Sequence, residues 1–175
     1  DGTHYIVTGI GDCRDKSVVI PRSYNDLPVT EIGADAFSDC YHFMESITVH
    51  ENIKKTGANA FYNCNLLKDI ILSDGLEVIG DEALRGCTAL SEILIPKSVQ
   101  TIGKDVFKTE EVGSNKRNLN ITLHCYGGSV GLMYARENNL RYKDAEEWKN
   151  VKPIKQAELE ETSTPKATTR SNAEQ

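Results

Sequence analysis

Apolar and polar positions recur in one order along this chain. Ile32-Gly-Ala-Asp-Ala-Phe-Ser-Asp-Cys40 returns as Thr56-Gly-Ala-Asn-Ala-Phe-Tyr-Asn-Cys64. It returns again as Ile79-Gly-Asp-Glu-Ala-Leu-Arg-Gly-Cys87, and then as Ile102-Gly-Lys-Asp-Val-Phe107. Gly33, Gly57, Gly80 and Gly103 stand 24, 23 and 23 residues apart. A fixed period of this length marks a solenoid, in which each unit covers its neighbours and none buries its apolar face alone.

Each unit holds two apolar clusters. In the second unit they are Ala60, Phe61, Cys64 and Leu67, then Ile70 and Leu72. In the third they are Ala83, Leu84, Cys87 and Leu90, then Ile93 and Ile95. The first cluster is spaced by three and four, which predicts one or two helical turns. The second alternates, which predicts a short strand with one face buried. Asp74-Gly75 and Pro96 mark the turns after these strands. Stacking sets the strands side by side in a parallel sheet, about 4.7–4.9 Å apart. The repeated glycines are expected to supply backbone freedom at the bend on the opposite side. The first unit carries one extra residue, counted from Phe43 to Ile47, which a local bulge should absorb.

The ends depart from the pattern, as solenoid caps do. Ser17–Pro21 reads as the first ladder strand and Tyr5–Thr8 as an edge strand over the core. After Phe107 a polar insertion, Thr109–Asn118, interrupts the fourth unit, and Ile121-Thr-Leu123 restores the strand. Ser129 is a good N-cap for a helix over Val130–Asn139, and Leu140-Arg-Tyr142 reads as a closing strand. From about residue 150 periodicity and aromatic residues are lost. The chain thus divides into an N-terminal cap with the first ladder strand (1–31), the repeats (32–108), a last ladder strand with a helical cap (109–149), and a flexible linker or tail (150–175).

Composition narrows the function classes. With 175 residues and 39% hydrophobic content the chain is an ordinary single-domain globular protein. No apolar run is long enough to span a bilayer. It opens on Asp1-Gly-Thr-His-Tyr5, and so reads as an excised fragment or a mature form. The net charge is −6. The last 26 residues hold four basic and four acidic side chains, so the excess acid lies in 1–149. An acidic domain without a Lys/Arg cluster argues against nucleic acid and anionic membrane surfaces as partners. Cys40, Cys64 and Cys87 share one repeat position and are read as a ladder of buried free thiols. No paired zinc-type spacing occurs, so no metal or other cofactor is expected. Cys13 and Cys125 lie outside the ladder, and their state stays open.

The units resemble the short bacterial leucine-rich repeat called BspA-like, or treponemal type, whose pattern runs roughly I-G-x-x-A-F-x-x-C-x-x-L-x-x-I-x-I-P. Ile79 to Pro96 follows it with Leu84 for Phe; the second unit follows it with Thr56 for Ile and Ser73 for Pro. Tyr5-Ile-Val-Thr-Gly9 and Leu27-Pro-Val-Thr-Glu-Ile-Gly33 resemble the usual start of such arrays, and Tyr134-Ala-Arg-Glu-Asn138 their usual end. The resemblance covers about residues 4–142. It implies an α/β repeat solenoid: a right-handed leucine-rich-repeat coil of about five turns, with a parallel β ladder and short helical turns, capped at both ends. It also implies a cell-surface or secreted protein of host-associated bacteria or some protozoan parasites, adhesin-like, binding host matrix or other proteins on the ladder face.

The strand register predicts that face. If Ile47/Val49, Ile70/Leu72, Ile93/Ile95 and Ile121/Leu123 point inward, then Val19, Thr48, Ile71, Leu94 and Thr122 form an outward row. Ser17, Ser46, Asp69, Glu92 and Asn120 flank it on one side, and Pro21, His50, Ser73, Pro96 and His124 on the other. An apolar stripe with polar edges suits a protein partner. Cross-strand packing explains the same residues without any partner. The partner-binding candidates are Val19, Thr48, Ile71, Leu94, Thr122, Asp69, Glu92 and His50. Asp69 and Glu92, side by side on adjacent strands, could bind a cation or do acid–base work, but a solvated acidic face explains them more simply. The sequence thus reads as a non-catalytic binding domain without a catalytic residue. The alternative is a targeting module for glycan or cell wall on a larger secreted enzyme; the outward rows lack the aromatic platform glycan sites present, which makes glycan the less favoured partner. Asn120-Ile-Thr122 fits the N-glycosylation pattern, although a place within a strand argues against its use.

Overall fold

A computed structural model describes residues 2–38, 40, 42–109 and 119–151. β1 (Tyr5–Val7) and β2 (Ser17–Val19) open the chain, followed by the hairpin of β3 (Ser23–Tyr24) and β4 (Leu27–Ile32). Three coils then carry one ladder strand and one two-residue strand each. These are β5 (Ser46–Val49) with β6 (Lys55–Thr56), β7 (Asp69–Leu72) with β8 (Val78–Ile79), and β9 (Glu92–Leu94) with β10 (Thr101–Ile102). β11 (Thr122–Cys125), helix α1 (Val130–Glu137), β12 (Arg141–Asp144) and helix α2 (Ala145–Val151) complete the described chain.

The alternating strands stack in parallel as the pattern requires. The ladder forms two three-stranded sheets, β2-β5-β7 and β9-β11-β12, with β7 and β9 as neighbours between them. Six ladder strands therefore stack among the described residues, where about five turns were expected. A second ladder, β1-β4-β6-β8-β10, runs along the opposite side of the coil, with β3 antiparallel on β4. Tyr5–Val7 is its edge strand. Its two-residue members, such as Lys55–Thr56, have no alternation to announce them; they are strands because the coils above and below supply partners.

Equivalent side chains form columns through the core. Phe37, Phe61, Leu84 and Phe107 are buried in one; Cys40, Cys64 and Cys87 in another. The rings of Phe37 and Phe61 lie parallel at 5.3 Å. The cysteines are free and buried as read, and Cys125 is also free and buried. Cys64 and Cys87 donate their thiols to the carbonyls of Phe37 and Phe61, one coil below. Burial pushes the Cys87 thiol up to about 12. The extra residue of the first unit sits one place earlier than counted. Met44, fully buried, takes the position of Leu67 and Leu90, while Phe43 is half-buried.

The first apolar cluster forms tight turns rather than continuous helix, because its N–H groups bond to the next coil. Asp35 and Phe37 donate to the carbonyls of Ala58 and Ala60, and Asn59 and Phe61 to those of Asp81 and Ala83. Asn63 and Gly86 are left-handed late in their turns; the left-handed position that recurs in every coil is Asp35, Asn59, Glu82 and Asp105, at φ 56°, 54°, 54° and 52°. Three of the four are Asp or Asn, the residue types that tolerate this region best. The repeated glycines are therefore not the left-handed positions. A Cβ on Gly80 would lie 2.4 Å from the carbonyl carbon of Gly57 and 2.7 Å from the nitrogen of Ala58. These glycines allow close stacking of one coil on the next.

At the C-terminal end, Ser129 caps α1 by accepting from the Leu132 N–H, as expected. Tyr134 accepts the Val106 N–H through its hydroxyl and sets its ring edge-on to Phe107 at 6.1 Å, closing the core. Leu140 is buried, but the four residues of β12 are exposed. The ordered chain does not end there. Asp144 accepts the Glu146 N–H at 2.8 Å and starts α2, which the sequence reading placed partly in a tail. Residues 110–118 of the insertion and 152–175 of the tail lie outside the described residues. Among the described residues no helix is long and apolar enough to cross a membrane.

Candidate functional site: the ladder face

Three strands bring the first half of the face together in the expected register. Val19, Thr48 and Ile71 stand opposite one another on β2, β5 and β7, as do Ser17, Ser46 and Asp69. Ser46 and Ser17 share a hydroxyl–hydroxyl bond of 3.0 Å. Leu94 holds the place of Ile71 one period later, on β9. Val19, Thr48, Ile71, Leu94 and Thr122 are half-buried, and Asp69 is exposed. Below them runs a charged rim, where Glu45 takes Lys16 and Lys68 at 2.7 Å each. The hydrogen bond from Lys16, then that from Lys68, holds the Glu45 carboxyl down at about 2.

His50 does not belong to the face. It is 6% exposed and built into the corner after β5. Its Nε2 donates to the Pro21 carbonyl at 3.2 Å, and its Nδ1 accepts the Asn52 N–H at 3.3 Å. Both ring nitrogens are satisfied in the neutral form, and burial holds the pKa below its ordinary 6.5. Below pH 6.5 the unfolded chain takes up a proton that folded His50 resists, so stability is complete above that pH and falls as the pH drops. The stability difference between pH 8 and pH 5, measured by urea unfolding, is expected to be smaller in His50→Gln than in the parent. An equal pH dependence in both chains would remove His50 from the effect.

The register changes at β11. Thr122 stands opposite Glu92, Leu123 opposite Ile93, and His124 opposite Leu94. The expected pairing of Leu94 with Thr122 is thus off by two residues. The cause is the insertion after Phe107, which obscures the residue count; Leu123 and Cys125 take the inward places expected of Ile121 and Leu123. Thr122 joins the flank row with Glu92, and His124 joins the middle row, where the next strand presents Lys143.

His124 is nevertheless only 4% exposed. The ring of Trp148, on α2, lies over it at a centroid distance of 4.2 Å. Nε2 of His124 donates to the Glu92 carboxylate at 3.2 Å, and Nδ1 has no hydrogen-bond partner among the described residues. The sequence pattern places His124 in a flank row, outside the binding candidates, and does not single out Trp148. The signal for α2 was an Asp N-cap followed by Glu146 and Glu147; nothing local placed Trp148 on the ladder. Asn120, exposed, lies just before β11 rather than within a strand and accepts a hydrogen bond from Arg141.

The chain is similar to a leucine-rich repeat protein from Bacteroides capillosus: 28% identity, TM-score 0.58, covering 70% of this chain and 86% of that one. Similarity also extends to the T. pallidum leucine-rich repeat protein, at 21% identity and TM-score 0.46, covering 64% and 59% of the two chains. A leucine-rich cell surface protein from Faecalibacterium prausnitzii gives 17% identity and TM-score 0.40, covering 67% and 40%. No curated protein matches the sequence. The family model of the BspA-type leucine-rich repeat region matches residues 12–124 in six copies, most of the chain. By that match the chain belongs to the BspA-type leucine-rich repeat family.

Proposed function

We propose that the chain is a non-catalytic protein-binding domain of a cell-surface or secreted protein, and that the partner, such as a host matrix protein, binds the ladder face. The observation that carries this is the alignment of Val19, Thr48 and Ile71 across three hydrogen-bonded strands, continued by Leu94. Packing keeps these side chains in place, so their ordering entropy is largely spent before a partner arrives. The charged Lys16–Glu45–Lys68 rim beside them supplies the polar edge of a protein interface. The repeat family to which the chain belongs is a non-enzymatic fold, which supports binding over catalysis.

The targeting-module reading draws on one observation, that α2 brings an aromatic ring to the ladder side. One screen tests both: the chain against matrix proteins and a glycan array, with an Ile71→Glu/Leu94→Glu variant in parallel. The expected result is a protein hit lost in the variant. A glycan hit, or a protein hit indifferent to the two charges, would overturn the ladder-face reading.

A further inference from the structure

We propose that α2 is a self-supplied cover of the ladder face, and that the ledge it occupies over His124 takes an aromatic side chain from a short helical segment of a protein partner. This deepens the function proposed above and rests on it for biological meaning. The occupant is defined by what is seated there now. His124 belongs to the outward middle row, between Leu94 and Lys143 on the adjoining strands. The repeat rule leaves that row open, yet His124 is covered, because Trp148 lies on it. The covering segment comes from outside the repeats, which end at residue 124 by the family match.

The cover is built to be displaced. α2 has only seven residues, too few to form a stable helix in isolation. Its hold includes the Asp144 cap and the Trp148 ring on His124. The fit is incomplete, since Nδ1 of His124 is buried without a hydrogen-bond partner among the described residues. An unmade bond of this kind costs stability. A partner segment whose aromatic residue also brings a donor to Nδ1 gains an interaction that α2 does not make there. Lys143 in the same row, with Arg141 in the flank row, favours a segment that, like α2 with Glu146 and Glu147, carries acid ahead of its aromatic residue. Displacing α2 would lengthen the open row from Leu94 across His124 to Lys143.

The test uses the full chain carrying Trp148→Ala, with its fold checked by circular dichroism against the parent. The probe is a dye-labelled, end-blocked peptide of residues 144–151, followed by anisotropy. The peptide is expected to bind the Trp148→Ala chain saturably, at least tenfold more tightly than the parent, whose own α2 competes. Binding should vanish when the peptide's tryptophan is alanine or when Leu94→Glu is added to the chain. Should Trp148→Ala lose the fold, Lys149→Pro in the parent, which places a proline beyond the first turn of α2 and so breaks that helix, opens the ledge by a second route under the same criteria. Equal binding to parent and opened chain, or no saturation by a folded, opened chain, would overturn the proposal. The matrix screen fails separately. A positive peptide titration with an empty screen keeps the ledge and rejects the matrix partner. A screen hit whose affinity is unchanged by Trp148→Ala rejects α2 as a cover of the functional face.

Discussion

Gly80→Ala is expected to destabilise the chain by about 3 kcal/mol, although alanine is ordinarily the better residue in regular structure. The added methyl would meet backbone on the coil below, at 2.4 Å from Gly57 C, 2.5 Å from Gly57 O and 2.7 Å from Ala58 N. Backbone cannot rotate away as a side chain can. The coils must separate, which strains the second ladder, where the Gly80 N–H donates to the Thr56 carbonyl at 2.9 Å. Gly127→Ala is the control. Its Cβ meets nothing within 4 Å and its φ is not positive, so it should be neutral or stabilise by up to about 1 kcal/mol through the unfolded chain. Urea midpoints for the two variants decide the matter; equal midpoints would refute close stacking as the reason for the glycines.

Phe61→Ala is expected to cost about 3–5 kcal/mol. Phe61 is 1% exposed and stacks face to face on Phe37, with 6° between the ring planes. The next coil is bonded to it directly, its own N–H donating to the Ala83 carbonyl and its carbonyl accepting the Cys87 thiol. The cavity therefore has little room to collapse. At an m-value of about 2 kcal/mol per molar, the urea midpoint should fall by roughly 2 M. In a solenoid each unit depends on its neighbours, so the loss at a central coil acts on both halves of the stack. A midpoint within error of the parent would mean that the Phe column is not the core.

The two substitutions probe features of different legibility. That Phe61 is core follows from Phe37, Phe61 and Phe107 recurring with the period, since a repeat cannot bury its apolar face except against its neighbours. The ladder strands follow from alternation in the same way, as do Ser129 at the head of α1 and the buried thiols. The glycines recur as plainly, but their reason is distance across coils. A sequence gives the position of Gly80, not the 2.4 Å approach of Gly57. Lys55–Thr56 and its equivalents likewise become strands through neighbours distant in sequence.

The functional face divides along the same line. Val19, Thr48 and Ile71 could be aligned from the sequence because a regular period carries side-chain direction from coil to coil, and alternation says which residues point out. That arithmetic holds only while the count is unbroken. The insertion after Phe107 breaks it, and the tertiary structure alone decides that His124, not Thr122, meets Leu94. It alone turns His50 into the corner, where the Pro21 carbonyl and the Asn52 N–H hold its ring. Likewise, a single tryptophan in an acidic seven-residue segment carries no period and no local signal of its destination; only the chain's return over β11 sets it on His124. Local pattern determined the coil, its core and its outward row, because those depend on contacts that every unit repeats. Tertiary structure decided the register past the insertion and the cover on the face, because those depend on contacts made once.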